Sequence, residues 1–551
     1  MPERCALGRH GLSRQTGCMR PSENLGLALL GARLSGAGLR SAAGLLPVLG
    51  ALALLSACAQ LPERPELPPQ SAVAPGDAGP LDAAAVPAEA SHPGESAFRL
   101  VSEGPEAFVI RAHTARLAAR SIDVQTYIWH ADLTGRFLAK ELLDAADRGV
   151  RVRLLVDDLD ARNNNYRFAA LDAHPNIEVR MFNPLASRQG TLSMAFEFAG
   201  GMKRLNRRMH NKSWIVDNRV AVAGGRNLGD EYFGASDEVN FVDLDFAMVG
   251  PVVRDVSASF DRFWNSEHAW PVALLSPEAV TQEALAKIRP RLLEAAEASR
   301  DSPYAAALAG DPAVQRLLAG DWPITWTSRY EFVSDEPDKI GGKEEGIDSS
   351  GVARGLAPVF RNAGESLSII SPYFVPGKGG TERLVSRRES GSAVRILTNS
   401  LAANDVAAVH GGYSRYRKRL LEGGIELWEL KPQRIGPTES SLFGSSGASL
   451  HTKALTADGT VLFVGSFNLD PRSVSLNTEQ GVIVHDPGLA AQLQSLFSRM
   501  ASADKSWRVT LHDGQLRWSD EHGDTDKEPD ASGWRRFQAW LARVLPIESQ
   551  L

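Results

Sequence analysis

At 551 residues, with 43% hydrophobic and 23% charged side chains, the chain has room for two to four globular domains, and its composition excludes a fibrous or wholly disordered protein. The net charge of −6 is uneven: residues 1–57 carry six Arg, no Lys and two Glu (+4), which leaves −10 on the remainder and argues against non-specific nucleic-acid binding as the main task. All three cysteines, Cys5, Cys18 and Cys58, fall at or before residue 58, so the body of the chain has no thiol for a disulfide or a thiolate metal site.

In chain order, Arg40 precedes the apolar run Leu45–Leu55, which ends in Leu55-Ser-Ala-Cys58. A basic residue, a short apolar stretch and small residues before a break read as a secretory signal, and the stretch is too short for an ordinary transmembrane helix. Leu-Ser-Ala-Cys resembles the lipobox of bacterial lipoproteins, which implies that Cys58 is lipidated and becomes the mature N-terminus. Ala59 in place of an acidic residue implies the outer-membrane class. Residues 1–57 are thus an N-terminal extension plus lipoprotein signal, with Met19 an alternative start. Residues 58–96, rich in Pro and Ala, read as a tether.

The first domain is expected over residues 97–275. A helix is predicted from Phe108 to Ala119, a strand at Ile122–Trp129, a helix from Thr134 to Arg148 closed by Gly149, and strands at 150–156 and 177–182. Alternation of this kind predicts an α/β fold with a mixed or parallel sheet covered by helices. The order then returns: Ser366–Tyr373 echoes the strand at 121–128, Gly391–Leu397 echoes 149–155, and Gly424–Trp428 echoes 176–180, at offsets of 245, 242 and 248. An internal duplication is implied, with the second copy over residues 351–505 and the two packed about a pseudo-two-fold axis. Residues 276–350 read as a helix-rich bridging segment, and 506–551 as a charged stretch with a basic amphipathic helix at 534–545.

Within each copy one pattern recurs with identical spacing. His210-x-Lys212 is followed by Asp217, Gly224-Gly225 and Asn227; His451-x-Lys453 is followed by Asp458, Gly465-Ser466 and Asn468. By average composition such a pattern arises by chance in roughly one chain in 10^5 of this length. A His and a Lys two apart on a strand share a face. The flanking apolar runs read as hairpins with the Asp at the turn. The glycines allow close backbone approach, and Asn227 and Asn468 can donate to a phosphate oxygen. Two facing copies would supply a nucleophile, an acid/base and two cations around one phosphoryl group. An attacking imidazole needs its second nitrogen held. Asp243, Asp245 and Glu479 are the candidate orienting carboxylates, the two Asp being placed on one strand face. Lys203, Arg204, Arg207 and Arg208 read as a patch that attracts anionic headgroups, and Leu192–Phe198 as a stretch facing acyl chains or packing inside.

The duplicated pattern resembles the HKD motif of the phospholipase D superfamily. The resemblance implies two phospholipase D-like α/β domains with mixed sheets and an active site at their interface. It also implies a phosphodiester exchange through phosphohistidine, with His210 as nucleophile, His451 as acid/base, Lys212 and Lys453 on the phosphate, and no metal or other cofactor. The motif Asp217 and Asp458 then orient structure rather than touch substrate. The block Leu205–Lys212 and the terminus Leu545–Leu551 are further similar to the C-type bacterial cardiolipin synthases. That likeness implies phospholipid substrates (phosphatidylglycerol, with phosphatidylethanolamine a second possible donor), a membrane surface as partner and no nucleic acid. The signal and lipobox imply a lipid-anchored location on the periplasmic face of the bacterial envelope, at the outer rather than the inner membrane. Hydrolysis to phosphatidic acid, a nuclease of the same superfamily and a non-enzymatic envelope module are the competing readings; export and the negative charge count against the nuclease, and two intact motifs against the module.

Overall fold

The duplication is visible strand for strand. A computed structural model describes residues 61–161, 165–186, 204–342, 346–432 and 448–551; Cys58, Lys203 and Leu192–Phe198 lie outside the described residues. In the first half, parallel strands Ser121–Thr126, Arg151–Asp157 and Ile177–Phe182 form the centre of a nine-stranded sheet. On one side they continue, antiparallel, through Ser213–Val216, Val220–Gly224, Asp245–Val249, Ser96–Val101 and Thr325–Thr327; on the other through Ala269–Pro271. The second half repeats the scheme: Ser366–Ile370, Ala393–Asn399 and Glu426–Leu430 run parallel, with Ala454–Ala457, Val461–Gly465, Gln480–His485 and Tyr330–Ser334 to one side and Ser506–His512 to the other. The central strands are buried on both faces because both are covered, and the polar side chains they carry are paired there, as Arg153 is with Asp123 at 2.6 Å. Gly149 and Gly391, at φ +93° and +104°, end the corresponding helices Leu133–Asp147 and Gly377–Glu389 in a conformation that only glycine adopts freely.

Cys58–Leu551 behaves as one unit, because the two sheets share a core. Helices Pro251–Asn265 and Pro487–Met500 fill it with Val256, Phe260, Phe263, Leu493, Phe497 and their neighbours, between Ile215, Phe246 and Met248 of one sheet and Leu462, Val464 and Val482 of the other. Separate clusters lie on the outer faces. Burying a core of this kind contributes roughly 1.5–3 kcal/mol per large apolar side chain, so the halves are held by bulk apolar burial and not by surface pairs.

Four boundaries and assignments differ from the sequence reading. The segment expected to be a tether is docked from residue 61 onward. Arg64 donates to the carbonyls of Ala269 and Ser266 at 3.0 Å each, and Gln70 Nε2 reaches Glu178 at 2.6 Å. Asp82, on helix Pro80–Ser91, is buried between Arg120 and Arg219, and the Arg120 guanidinium holds its carboxyl well below the usual range. These anchors are single polar groups at irregular spacing, which leave no periodic signal. The bridging segment is not separate from the sheets, since Thr325–Thr327 closes the first sheet and Tyr330–Ser334 opens the second. The charged stretch after 505 forms strands Ser506–His512, Gln515–Asp520 and Gly523–Thr525, which extend the second sheet. Half of the basic patch is structural: Arg208 is fully buried against Asp157 at 2.6 Å and Arg207 is buried and donates to the carbonyls of Lys339 and Ser475, while Arg204 is exposed and donates to Asn183 and Pro184.

The two motif Asp residues sit at the hairpin turns, at the ends of strands Ser213–Val216 and Ala454–Ala457 remote from their histidines. Asp217 (φ +54°) accepts from the N–H groups of Ala119, Arg120 and Ser121 at 2.7–2.9 Å; Asp458 (φ +52°) accepts from Gly364, Glu365 and Ser366 at 2.8–2.9 Å. Each locks its hairpin to the turn before the first parallel strand. Asp217→Ala therefore orphans three donors at a buried site and is expected to lower stability by about 3 kcal/mol, against about 1 kcal/mol for the more exposed Asp458→Ala, read from the denaturant midpoint.

Candidate active site

Two backbone exchanges between the halves build the site. The short strand Ala448–Leu450 pairs in parallel with Asn240–Val242 of the first half, and the His451 N–H continues the pairing to the Val242 carbonyl at 2.9 Å. Met209 forms a bridge with Thr478, and the His210 N–H donates to the Thr478 carbonyl at 2.9 Å. Each histidine is thereby set one residue past a strand of the opposite half, beside the carboxylate that follows that strand.

The pairing is crossed. His210 Nδ1 lies 2.9 Å from Glu479 Oε2, and His451 Nδ1 lies 2.6 Å from Asp243 Oδ2. Both carboxylates are fully buried. A carboxylate on Nδ1 fixes the proton there and leaves Nε2 as the reactive nitrogen. Asp245 is not an orienting group: it pairs with Arg111 at 3.0 Å and Arg226 at 3.3 Å. Asp243 precedes the strand Asp245–Val249 and sits in the break after Asn240–Val242, so the two Asp side chains do not share a strand face.

The substitution of Gly225 for serine is explained by this geometry. Ser466 donates to Glu479 Oε2 at 2.5 Å, and Ser473 to Oε1 at 3.0 Å. At Gly225 a Cβ would stand 2.1 Å from Asp243 Oδ1, whose acceptor position is used instead by the Leu244 N–H at 2.8 Å. The first half replaces the Ser466 hydroxyl with a backbone donor and has no counterpart of the Ser473 bond, so Asp243 carries one donor fewer than Glu479.

Lys212 and Lys453 are buried and each donates to the carbonyl of its own histidine, Lys212 at 2.7 Å. Asn227 holds the hydroxyl of Tyr232 at 2.9 Å and accepts from Ile128 N–H, while Asn468 Oδ1 is buried without a partner. Aromatic walls escaped the sequence reading. Tyr127 meets the His210 ring edge-on at 5.2 Å and lies under the Lys212 ammonium at 5.3 Å; Tyr232 and Phe241 flank His451 at 5.4 and 5.2 Å. Tyr127 falls within the predicted strand, two residues before its end; its side chain carried no motif signal.

Burial and crowding set the charges. His210 is driven well below its ordinary pKa by burial, then by Lys212, Lys453 and His451. His451 is lowered too, by burial and Lys453, but Asp243 opposes the shift. Burial pushes Glu479 up to about 7 against the pull of Lys212, and pushes Lys453 down to about 8. Burial also disfavours the charge on Asp243, yet His451 and Lys453 more than offset it and hold that carboxyl below its usual range. One imidazole is thus biased toward the neutral form and the other faces a firmly ionised carboxylate. Such an arrangement can attack phosphorus with one nitrogen and move a proton with the other.

A family model described as "Cardiolipin synthase, PLD-like domain" matches residues 112–264 and 356–501, once in each half and across both motifs. The chain belongs to this family. Among its cardiolipin synthase relatives, cardiolipin synthase C of Escherichia coli K12 is 40% identical over 479 residues, covering 85% of this chain and 99% of that protein. An uncharacterised protein of Helicobacter pylori 26695 is 33% identical and covers 83% of this chain and 89% of its own length. The solved phosphatidylserine synthase of Haemophilus influenzae Rd KW20 shares the fold at 14% identity, with a TM-score of 0.50 over 75% of this chain and 87% of that one. Among the described residues, the His/carboxylate groupings within metal-ligating reach all lie apart from His210 and His451.

For the reaction proposed below, the free enzyme would need Glu479 ionised and both His451 and Lys453 protonated. Glu479 loses its charge as pH falls through about 7, and Lys453 loses its charge as pH rises through about 8. Because the His451 proton is lost before that of Lys453, the expected kcat/KM profile is a bell with its maximum at or below the Glu479 limb and a steeper fall above about pH 8 where Lys453 also loses its charge. Lys453→Arg, which stays charged, should remove that additional steepening even where the rate drops, as followed with a short-chain soluble phospholipid across pH.

Proposed function

We propose that the protein is a phosphatidyltransferase that joins a phosphatidyl group to phosphatidylglycerol, forming cardiolipin through a phosphohistidine. The observation that carries this reading is the crossed pair of histidines with unequal charge bias. His210 Nε2 attacks phosphorus, the bond to the donor headgroup oxygen breaks, and His451 gives its proton to the departing alcohol. His451, now neutral, takes the proton of the terminal hydroxyl of phosphatidylglycerol. That oxygen attacks phosphorus and the P–N bond breaks, which restores both imidazoles. Lys212, Lys453 and the side-chain N–H of Asn468 oppose the charge on the phosphoryl oxygens. Glycerol or ethanolamine leaves, according to the donor.

Transfer wins over hydrolysis when acceptor lipid is concentrated at the site and water is not. Helix Gly533–Val544 supports such placement. It rests Ala539 and Ala542 on Gly411 and leaves Trp534, Phe537 and Trp540 stacked in a row on its outer face, with Trp534 54% and Trp540 55% exposed. Arg535 anchors the helix start to the carbonyls of Leu401 and Asn404, beside Asp405, whose charge acts on Lys453. Exposed Trp and Phe with flanking Arg suit a membrane interface. No described helix is long and apolar enough to cross a membrane. A lipid on Cys58 would hold the docked arm from residue 61 close to the bilayer, on the periplasmic side of the outer membrane.

Expression in cells lacking their own cardiolipin synthases is expected to restore cardiolipin, and His210→Ala or His451→Ala to abolish it, by mass spectrometry of extracted lipid. Phosphatidic acid as the sole product, with phosphatidylglycerol abundant, would replace transfer by hydrolysis. For the anchor, labelled palmitate is expected in the wild type and absent from Cys58→Ala; no label in the wild type would end that part of the proposal.

A further inference from the structure

In the second half, helices Gly351–Asn362 and Gly377–Glu389 and the segment Phe467–Ser475 enclose a cavity of about 710 Å³. It lies on the side of the sheet away from the shared core. Its walls are apolar, from Leu356, Phe360, Leu367, Val375, Leu384 and Phe467. Its rim is basic. Arg387 donates to the carbonyls of Phe360 and Arg361 and so ties the two helices together across the mouth. Arg361 and Arg383 are exposed and have no carboxylate partner among the described residues. The one acid in the lining, Asp470, is buried and caps the short helix that follows, accepting from Ser473 N–H at 2.6 Å.

The first half shows what closes this space. Phe233 stands six residues after Asn227, as Val474 stands six after Asn468. Phe233 packs on Phe108 at 5.6 Å; Phe108 in turn meets Phe137 at 5.4 Å and Tyr304 of the bridging helix Pro303–Gly310 at 5.8 Å. Helices Gly104–Leu117 and Leu133–Asp147 pack directly on one another there. The space opens to solvent at its mouth, and its volume is that of an ordinary ligand site. One copy of the duplicated fold is filled with aromatic rings. The other is open, apolar inside and cationic at the mouth.

We propose that this cavity is a second, non-reacting site for one anionic phospholipid, with an acyl chain inside and the phosphate between Arg361 and Arg383. The proposal rests on the reading of the protein as an enzyme of phospholipid membranes, and it adds a lipid that is not consumed. The site is mechanically linked to the chemistry. Pro471, Val474 and Ser475 line the cavity, and Ser473 between them donates to Glu479, the carboxylate that holds His210. An acyl chain against this turn fixes Ser473 and through it the imidazole. Anionic lipid is then an activator as well as a reactant.

The test uses the full-length protein and a medium-chain alkyl phosphate with a photoreactive diazirine at the chain end. A phosphate monoester has no diester bond to exchange. The matching alkyl alcohol is the neutral control. Peptide mapping is expected to find the phosphate's label on residues 351–362 and 377–389. Val474→Phe, which copies the side chain of the first half, and Leu384→Trp, from the opposite wall, should each cut that label by at least about tenfold while the thermal midpoint stays near that of the wild type. Arg361→Glu with Arg383→Glu should cut it about tenfold for the phosphate and leave the alcohol unchanged. Equal labelling by alcohol and phosphate, or label confined to the peptides around His210 and His451, overturns the proposal. Cardiolipin synthesis measured in parallel separates the two readings. Label in the cavity without cardiolipin sinks the proposed reaction alone, and cardiolipin without label sinks the lipid site alone.

Discussion

Everything in the site depends on a crossing of the chain between its two halves. Each imidazole is held by a carboxylate of the other half, through His210–Glu479 and His451–Asp243, and each carboxylate is delivered by a backbone pairing between halves. Neither half carries a complete histidine. A monomeric half would leave its imidazole free to rotate and its carboxylate buried without a partner, which costs several kcal/mol. The shared core of helices Pro251–Asn265 and Pro487–Met500 is the counterpart of that constraint, because it fixes the two sheets closely enough for bonds of 2.6 and 2.9 Å to form.

The symmetry is imperfect where chemistry requires it. A symmetric site would give both histidines one pKa, and neither would be preferred as nucleophile or acid. Here one carboxylate is Glu479, one methylene longer and fed by two serine hydroxyls; the other is Asp243, pressed against Gly225 and fed by a backbone N–H. Asp243 stays ionised beside His451, while Glu479 is pushed up by burial beside a His210 biased toward its neutral form by burial and then by neighbouring cations. In the proposed reaction this bias would make His210 the nucleophile and His451 the proton carrier, and it arises from two side chains and not from a different fold.

The parts of this arrangement written in local pattern were legible in the sequence. The two hairpins, the parallel strands and the motif residues follow from spacing and alternation, and their bounds agree with the structure within about three residues. The carboxylate partners were named but not their pairing, because contacts across 208 and 269 residues leave no local trace. Asp245 was drawn in by its i, i+2 spacing from Asp243, which means a shared face only if the strand is continuous; it is broken between them. The basic cluster misled for a related reason. Charge in a sequence reads as surface, yet Arg208 is fully buried because Asp157, at the end of a parallel strand, waits for it. Segment 61–96 lacked periodicity because its contacts are side chains reaching individual carbonyls and carboxylates, a form of order that binary patterning does not encode.

The two halves have also diverged in what they show to their surroundings. The first is wrapped, by the arm from residue 61, by helices Gln282–Arg300 and Pro303–Gly310, and by the aromatic cluster around Phe108. The second is left open and carries both features suited to lipid: the stacked row Trp534, Phe537 and Trp540, and the apolar cavity with its arginine rim. A duplicated enzyme acting on substrates that lie in a plane gains nothing from two equivalent outer faces, since only one can meet the bilayer. On the proposed membrane-facing role, covering one half with polar anchors and exposing apolar surface on the other would select a single orientation. The energetic asymmetry is large: each Trp placed in the interface contributes on the order of 1 kcal/mol or more by area, whereas the exposed ion pairs of the wrapped half gain little from leaving water.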